Sequence, residues 1–298
     1  MREVTGASRI RGVDRIQSLW RGWGDVLRVE LAGADVPSVV VKVVRGAPVG
    51  RRLDPGDARK VRSYEVEAAF YRHWSARCLP AVRVPRCRFA TPGFFVLEDL
   101  DAAGFRGRRP NGSDGLEAVV PWLARLHARF LGDPDPGREL WPEGCYWHLA
   151  TRGDELRRMA DGPLKRHAAA IDAKLRGARH QTLVHGDAKL ANFCFAADGA
   201  CAGVDFQYVG RGPGIRDLAY LLWGVSDREL ESGVWEDLYF TTLREAGGGE
   251  AEDEWRALLP FAWADFERFL AGWAPGHRER ESYADRTTAR VLAQLEGR

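Results

Sequence analysis

Closely paired cysteines are missing from this sequence. Its five cysteines are odd in number, are scattered along the chain and never form a C-x-x-C pair. This pattern excludes a disulfide scaffold, in which an even number of cysteines holds a small core together. Reduced thiols, as in a cytoplasm, are the simplest interpretation.

Long apolar runs are missing as well. The opening residues MREVTGASRIRGVDRI have no apolar core of signal-peptide length. No later stretch approaches the roughly 20 uninterrupted apolar residues of a membrane span. We therefore expect a soluble, cytoplasmic protein that has no membrane partner.

A large excess of charge of one sign is the third missing feature. The formal net charge is only +2, whereas a protein that binds polynucleotides more often carries a strong basic excess on one face. The sequence therefore predicts no nucleic-acid partner, although a small phosphorylated cofactor is compatible with this charge. Nothing in the sequence indicates the oligomeric state.

The composition that is present is that of a globular protein. Of the 298 residues, 45% are hydrophobic and 29% are charged. This is enough apolar material to bury a core, and it carries no sign of disorder. The length fits either one large domain or two lobes.

The first hundred residues predict a small antiparallel sheet. Short extended runs, separated by turns rich in Gly, Pro and Asp, occupy residues 27–31, 39–44, 88–90 and 94–97. One helix interrupts them at residues 57–76, where apolar side chains recur at helical spacing. We place the boundary of this lobe near Asp99, so that residues 1–98 form the first lobe.

The remaining residues, 99–298, predict a larger and mainly α-helical lobe. A loop rich in glycine and charge, residues 101–115, precedes apolar stripes at helical spacing in residues 116–130 and 255–273. Within this half, short apolar runs flank Asp198 and Gly199, as a hairpin turn requires. The predicted fold class is therefore α+β, with a small sheet lobe that carries one helix and a larger helical lobe.

One constellation of polar residues lies around this hairpin. The segment from His185 to Asn192 reads HGDAKLAN, and Asp205 follows the hairpin in VDFQ. Carboxylate and carboxamide oxygens suit Mg²⁺ when it bridges nucleotide phosphates, so Asn192 and Asp205 are candidate metal ligands. Asp187 is the candidate that orients an attacking hydroxyl and accepts its proton.

A lysine in the first lobe is the next candidate. Lys42 lies within VVVKVV, where burying a lone ammonium is costly unless a carboxylate and phosphates pair with it. Glu67 on the following helix is the favoured partner, and Glu65, which lies on a different face of that helix, is the rival. The alternative is a sheet-edge lysine that discourages aggregation.

These residues together resemble a known family. Their order resembles the protein-kinase-like fold, and HGD with asparagine five residues after its aspartate is similar to the aminoglycoside phosphotransferase and choline kinase branch of that fold. Four further segments resemble the ecdysteroid-kinase-like group within this branch: residues 67–71, 97–100, 204–207 and 212–222. The resemblance covers residues 20 to 225 approximately. It implies a nucleotide-binding N-lobe and a helical C-lobe that holds the catalytic loop, the metal site and the substrate pocket.

The resemblance also implies roles for single residues. Lys42 contacts the α- and β-phosphates, Glu67 holds Lys42, Asp187 is the catalytic base, and Lys189 steadies the transferring phosphate. By the same resemblance, the two candidate metal ligands hold Mg²⁺.

The nucleotide site is completed by four further residues. The resemblance implies that the backbone of Glu98 and Leu100 binds the adenine edge. The segment WRGWGD occupies the place of the phosphate-covering glycine loop, but it has only Gly22 and Gly24 together with two bulky tryptophans. We therefore expect a stiff or unusually shaped loop.

The interval from Asp205 to Asp217 indicates the substrate class. A protein kinase would need a long activation segment and an A-P-E motif here, yet only eleven residues lie between the two aspartates. A small hydroxylated molecule is therefore the expected acceptor. The family likeness also implies that Asp217 braces the catalytic loop.

The sequence thus predicts an ATP- and Mg²⁺-dependent kinase, with GTP as an alternative nucleotide, that phosphorylates a hydroxyl of a metabolite or antibiotic. The alternative is a nucleotide-binding pseudokinase with a regulatory or scaffold role, although such proteins typically lose a residue that this chain keeps. The substrate pocket is expected in residues 234–298. His185 is interpreted as structural. Four tryptophans are interpreted mainly as core: Trp235, Trp255, Trp263 and Trp273.

Overall fold

The computed structural model describes residues 2–46, 54–109, 113–133, 139–276 and 281–297. Residues 110–112 of the predicted connecting loop lie outside this described part. The chain forms two compact units. The first comprises Met1–Arg109 with Ala191–Gln207, and the second comprises Pro110–Leu190 with Tyr208–Arg298. The boundary that we placed after residue 98 stays a prediction.

The secondary structure is mixed. The strands are β1 (Arg9–Ser18), β2 (Gly24–Ala32), β3 (Ser38–Val44), β4 (Cys87–Thr91), β5 (Phe94–Glu98), β6 (Thr182–Val184), β7 (Phe193–Phe195), β8 (Cys201–Gly203) and β9 (Gly210–Gly212). The helices are α1 (Arg2–Thr5), α2 (Pro55–Ala69), α3 (Ser75–Cys78), α4 (Leu116–Arg129), α5 (Gly153–Arg158), α6 (Pro163–Arg166), α7 (Ala168–Arg176), α8 (Ile215–Leu222), α9 (Asp227–Glu231), α10 (Val234–Glu245), α11 (Glu252–Trp273) and α12 (Tyr283–Leu295).

The first unit is built on a five-stranded antiparallel sheet in the order β1-β2-β3-β5-β4. Its core is aliphatic and includes Val29, Val39, Val41 and Val96, all less than 5% exposed. β-Branched side chains pack well on a pleated surface, which explains why VVVKVV forms the central strand β3. The predicted sheet is therefore present, with one further strand.

That further strand, β1, is absent from the sequence-based prediction. It shifts register against β2 after Ile10 and again after Arg15. Its apolar residues recur at every third position of the sequence rather than at every second: Ile10, Val13 and Ile16. All three side chains are between 46% and 54% exposed. The sequence of this strand therefore lacks the alternation of apolar and polar residues that marks a half-buried strand.

The predicted helix in the first unit is present but irregular. Helix α2 begins with a capping box, in which Asp54 and Asp57 each accept a hydrogen bond from the other's backbone N–H. A π-helical turn at Phe70–Trp74 then separates α2 from α3. A π turn inside a helix often marks a functional site, because the extra residue re-aims the side chains around it.

The predicted hairpin is confirmed and belongs to the first unit. Strands β7 and β8 pair in antiparallel register. Between them Gly199 has a φ of +89°, and the Ala200 N–H donates to Asp198 Oδ1 at 3.0 Å. Both turn residues therefore act as a tight turn requires.

The second unit is mainly helical, with a short pair of strands, β6 and β9. The predicted apolar stripes are buried in α4 and α11. In α4, Pro121 lies inside the helix, beyond its first turn. Trp255 and Trp263 of α11 are at most 2% exposed, as expected of core residues. Trp273 at the end of α11 is 62% exposed, so its interpretation as core is wrong.

The predicted α+β class is confirmed by the antiparallel sheet and the helical part. Among the described residues, no helix combines the length and the apolar character that a membrane crossing requires.

Candidate active site

The HGD segment of the second unit follows strand β6 and forms a tight, buried loop. Gly186 has a φ of +79°, and a Cβ at this position would lie 2.0 Å from the Tyr208 carbonyl oxygen. Only glycine fits there. The His185 ring is fully buried and its Nδ1 accepts a hydrogen bond from the Asp187 N–H at 3.3 Å, which supports a structural role for this histidine.

Asp217 at the start of α8 fixes this loop from behind. Its carboxylate accepts hydrogen bonds from the N–H groups of His185 at 2.6 Å and Gly186 at 2.9 Å. Its Oδ2 also lies 3.1 Å from Nε2 of His127, whose Nδ1 lies 2.7 Å from the Tyr239 hydroxyl. All of these side chains are fully buried. The loop is thus held by a satisfied polar network, as the resemblance implies for Asp217.

Both carboxylate oxygens of Asp187 have partners in the second unit. The Tyr220 hydroxyl donates to Oδ1 at 3.1 Å, and the Lys189 ammonium lies 3.2 Å from Oδ2. The Lys189 side chain is 48% exposed. Asp187 is therefore oriented on one side by the partly buried Tyr220 hydroxyl and on the other by a solvent-accessible cation.

The phenol of Tyr220 is suited to remain a donor. Burial, and then the negative charge of Asp187, raise the pKa of Tyr220 far above its usual range. The ring centroid lies 4.9 Å from that of Trp147 and 5.0 Å from that of Phe266. Packing of this kind fixes the direction in which the hydroxyl points.

The first unit brings Lys42, Glu67 and Asp205 together. Nζ of Lys42 lies 2.6 Å from Glu67 Oε2 and 3.9 Å from Asp205 Oδ1. Burial raises the pKa of Glu67, and the charge of Lys42 opposes that rise. The rival Glu65 is 44% exposed and pairs with Arg62 at 3.1 Å, so the structure brings Glu67 to Lys42 instead.

Asp205 has a constrained backbone. Its φ is +65°, in the left-handed region that residues other than glycine rarely adopt, although aspartate does so more than most. Such conformations persist where the surrounding structure enforces them, often at functional sites. The Asp205 side chain is 38% exposed, so its carboxylate is accessible to a ligand.

Asn192 lies at the same end of the β7–β8 hairpin as Asp205. The Val204 N–H donates to the Asn192 carbonyl oxygen at 2.9 Å, which aligns Asn192 with the residue before Asp205. The described residues contain no cluster of three or more His, Cys, Asp or Glu side chains arranged for a metal. Mg²⁺ is ordinarily held by one or two protein ligands together with phosphates and water. The pair Asn192 and Asp205 therefore fits that ion.

The tryptophan-rich loop between β1 and β2 is anchored in the first unit. Trp23 is 1% exposed, and its ring centroid lies 6.4 Å from that of Tyr64. A Cβ on Gly24 would lie 1.8 Å from the Val43 carbonyl oxygen, whereas one on Gly22 would meet nothing within 4 Å. Gly24 thus allows a close backbone approach, and Gly22 has room around it.

The segment after β5 is fixed by ion pairs. Arg83 contacts Glu98 with both terminal nitrogens, at 2.9 and 2.6 Å. The Glu98 N–H donates to the Arg86 carbonyl, and the Leu100 carbonyl accepts from the Phe105 N–H. The Glu98 N–H and the Leu100 carbonyl are thus committed within the protein.

Several residues around the site escape sequence analysis. Asp99 accepts hydrogen bonds from Arg28 at 2.8 Å and Ser38 at 2.6 Å, and so ties β5 to β2 and β3. Phe70 of the π turn stacks on Phe206, with ring centroids 3.9 Å apart. These contacts join residues that lie far apart in the chain, so no local motif signals them.

The sequence profile of the phosphotransferase enzyme family APH matches residues 17–261. The chain belongs to this family. No curated protein matches this phosphotransferase in a search by sequence. Its closer likeness to the ecdysteroid-kinase-like group stays a prediction.

Solved structures share the fold of this phosphotransferase. A macrolide 2'-phosphotransferase from Brachybacterium faecium is 14% identical, with a TM-score of 0.55, and the match covers 93% of this chain and 97% of that one. An amicoumacin kinase is 17% identical over 95% and 88% of the two chains, with a TM-score of 0.52. A choline/ethanolamine kinase family protein from Mesorhizobium loti is 15% identical over 99% and 91%, with a TM-score of 0.52.

The family match confirms the predicted class of enzyme, because it shows that the protein is a phosphotransferase. The acceptor, the nucleotide, the metal and the roles of single residues stay predictions.

Proposed function

We propose that this phosphotransferase uses ATP and Mg²⁺ to phosphorylate a hydroxyl group of a small metabolite or antibiotic, with GTP as the alternative nucleotide. The observation that carries the proposal is the group of Lys42, Glu67 and Asp205, where a buried ammonium lies 2.6 Å from one carboxylate and 3.9 Å from another. A fixed cation beside an accessible carboxylate is the arrangement that metal-bridged nucleotide phosphates require.

The first unit supplies the nucleotide contacts. Lys42 binds the α- and β-phosphates while Glu67 holds its ammonium in place. The adenine edge is bound by the backbone of Glu98 and Leu100, through groups other than the Glu98 N–H and the Leu100 carbonyl, which bond within the protein. The loop containing Gly22 and Gly24 covers the phosphates.

Asn192 and Asp205 hold the metal ion. A Mg²⁺ ion held there would supply electrostatic stabilisation of the negatively charged phosphate oxygens. The accessible side chain of Asp205 and the alignment of Asn192 at the same end of one hairpin support this assignment.

Asp187 acts on the acceptor. Its carboxylate binds the acceptor hydroxyl and accepts the proton as the acceptor oxygen forms a bond to the γ-phosphorus. The bond between that phosphorus and the bridging oxygen breaks, and ADP leaves with the electron pair. Tyr220 and Lys189 keep the carboxylate oriented, and the Lys189 ammonium steadies the transferring phosphoryl group.

The decisive experiment compares two single variants with wild type. We expect Asp187→Asn to lose about 10²- to 10⁴-fold in ADP release, the usual contribution of a general base, while ATP with Mg²⁺ still raises its melting temperature. Asp205→Asn should instead lose the Mg²⁺-dependent part of that stabilisation. Glu65→Gln, on the exposed rival glutamate, serves as the control and should behave as wild type.

The rival function, a nucleotide-binding pseudokinase, predicts a different result. A pseudokinase would show a raised melting temperature with nucleotide but no ADP release. This would hold both with added acceptors and without them, when water is the only nucleophile. Wild-type turnover in Asp187→Asn would reject the proposed base.

A further inference from the structure

A continuous path of aromatic rings leads away from Asp187 in the second unit. Tyr220, which is bonded to Asp187, has its ring centroid 5.4 Å from that of Tyr146. The Tyr146 centroid lies 5.3 Å from that of Phe269, and Phe269 stacks on Trp273 at 5.9 Å. The reacting carboxylate thus stands at one end of a connected aromatic surface.

This surface has a buried base and an exposed face. Phe266 and Phe269 are at most 2% exposed. By contrast, Tyr220 is only partly buried, Trp223 is 40% exposed and Trp273 is 62% exposed. The Trp223 and Phe266 centroids are 5.7 Å apart, so the exposed rings rest on the buried ones. Trp223 and Trp273 are joined through Phe266 and Phe269, whose ring centroids lie 6.1 Å apart. Large exposed aromatic groups on one such cluster are candidates for a binding surface.

A protein cation already occupies the ring faces inside this surface. The Arg152 guanidinium carbon lies 5.6 Å from the Tyr146 centroid and 5.2 Å from the Phe269 centroid. Arg152 also donates to the Tyr146 carbonyl oxygen and pairs with Glu155 at 3.3 Å. The attraction of these two rings for a cation is therefore satisfied from within, and a second cation would be repelled by Arg152.

The carboxylates among these rings are not available to a cationic ligand either. Glu155, Asp265 and Glu267 are each at most 4% exposed. Asp265 is bonded to Arg268 at 2.7 Å, and Glu267 accepts a hydrogen bond from the Trp223 indole at 3.1 Å. Recognition of a polycation requires accessible carboxylates, and these three are buried and engaged.

We propose that the rings from Tyr220 to Trp273 and Trp223 bind the acceptor alcohol, and that this acceptor is a neutral molecule with a broad apolar face rather than a polycationic amino sugar. The inference rests on the proposed function, because it takes Asp187 as the group that meets the hydroxyl. Burial of apolar ligand area against these rings supplies the affinity.

The test uses three probes of different chemistry. A hydroxylated macrolide aglycone represents the neutral apolar class, kanamycin the polycations and choline the small cationic alcohols. With wild-type enzyme, ATP and Mg²⁺, we expect the aglycone to give the highest kcat/KM for ADP release. A higher kcat/KM for kanamycin or choline would overturn the inference.

A binding measurement distinguishes failure of this inference from failure of the proposed function. Thermal shift of the nucleotide-free protein with each probe needs no turnover. If no probe releases ADP and ATP is not hydrolysed, the proposed function fails. The inference still stands if the aglycone raises the melting temperature, and it is overturned if the aglycone does not.

Two surface variants locate the site. Trp273→Ala and Trp223→Ala should each raise KM for the aglycone by about tenfold, because each removes a large exposed ring. Val13→Ala is the control, since this residue is 54% exposed and lies in the first unit. An unchanged KM in both tryptophan variants would show that the acceptor lies elsewhere.

Arg152→Met provides a test in the opposite direction. The change frees the Tyr146 and Phe269 faces and leaves Glu155 without its guanidinium partner, so the variant should gain relative activity on choline by about tenfold or more. A melting curve confirms that the variant is folded. An unchanged choline-to-aglycone ratio in the folded variant would contradict the role given to Arg152.

Discussion

The Tyr220 hydroxyl donates to Oδ1 of Asp187 at 3.1 Å, across 33 residues of chain. Since burial and the Asp187 charge raise the pKa of Tyr220 far above its usual range, the phenol keeps its proton at every pH at which the enzyme would be assayed. It is therefore a permanent donor to the proposed base. Hydrogen bonds of this kind favour the ionised form of the carboxylate that accepts them.

Tyr220→Phe should therefore shift the pH dependence of kcat/KM. Without the donor, Asp187 is protonated at a higher pH, so the acid limb moves upward by about one unit, as expected for a net loss near 1.4 kcal/mol. The measurement is a pH profile of ADP release. Tyr239→Phe removes a hydroxyl that bonds His127 instead, and its acid limb should stay in place. If the acid limbs of the two pH profiles, wild type and Tyr220→Phe, were identical, the phenol would not act on Asp187.

Lys42→Met should destabilise the first unit in a pH-dependent manner. Burial already raises the pKa of Glu67 and Lys42 opposes that rise, so removing the lysine raises it further. When the pKa of a carboxyl group is higher in the folded state than in the unfolded state, the free energy of unfolding of the protein falls as the pH rises. We expect a loss of about 3–5 kcal/mol at pH 8, and a smaller loss at pH 5.5, in urea unfolding.

The double variant Lys42→Met/Glu67→Met is the control for that prediction. It leaves no buried charge from this pair, so it should recover much of the stability and lose the pH dependence. Equal losses at both pH values in the single variant would rule out the coupling between Lys42 and Glu67.

Gly24→Ala and Gly22→Ala should differ although the two glycines lie only two residues apart, Gly22 before β2 and Gly24 at its first position. A Cβ on Gly24 would meet the Val43 carbonyl oxygen at 1.8 Å, and one on Gly22 meets nothing within 4 Å. We expect Gly22→Ala to cost about 1–2 kcal/mol, from its positive φ alone, and Gly24→Ala to cost more and to raise KM for ATP. Equal unfolding free energies for the two variants would contradict the close approach to Val43.

His148 should make the second unit sensitive to acid. Burial, and then the charge of Arg216, lower the pKa of His148 to about 3. The unfolded chain binds a proton near pH 6.5 while the folded chain does not, so stability falls as the pH drops below that value. From pH 7 to pH 5 the loss is about 2 kcal/mol. In His148→Gln the free energy of unfolding should depend less steeply on pH between pH 7 and pH 5. A slope equal to that of wild type would show that His148 is not the cause.

The residues of the nucleotide and metal sites could be named from the sequence because each belongs to a short motif or breaks a local pattern. Lys42 interrupts an apolar strand, and Asp187 and Asn192 share one loop. The structure brings Lys42 to Glu67 and aligns Asn192 at the same hairpin end as Asp205. Their roles stay predictions until the variants are made.

The rest could not be predicted, for physical reasons that differ between elements. Tyr220 and Asp187 meet through tertiary folding, so no spacing records their contact. The register shifts of β1 remove the alternation by which a strand is recognised. Trp273 continues the apolar stripe of α11, yet it lies at the last residue of that helix and is exposed. The spacing of apolar residues shows which face of a helix is buried, but it does not show how far along the helix a neighbouring element covers that face.

The membership of the hairpin Ala191–Gln207 in the first unit has a consequence for synthesis on the ribosome. When Arg109 has emerged, the first unit still lacks the segment that places Phe206 on Phe70 and packs Cys194 and Ala202 beside Leu100. That segment ends 98 residues later in the chain, a delay on the order of 5–20 s at ordinary translation rates. During this interval the nascent sheet exposes part of its future core, and exposed apolar surface of this kind is what makes incompletely folded chains prone to aggregate.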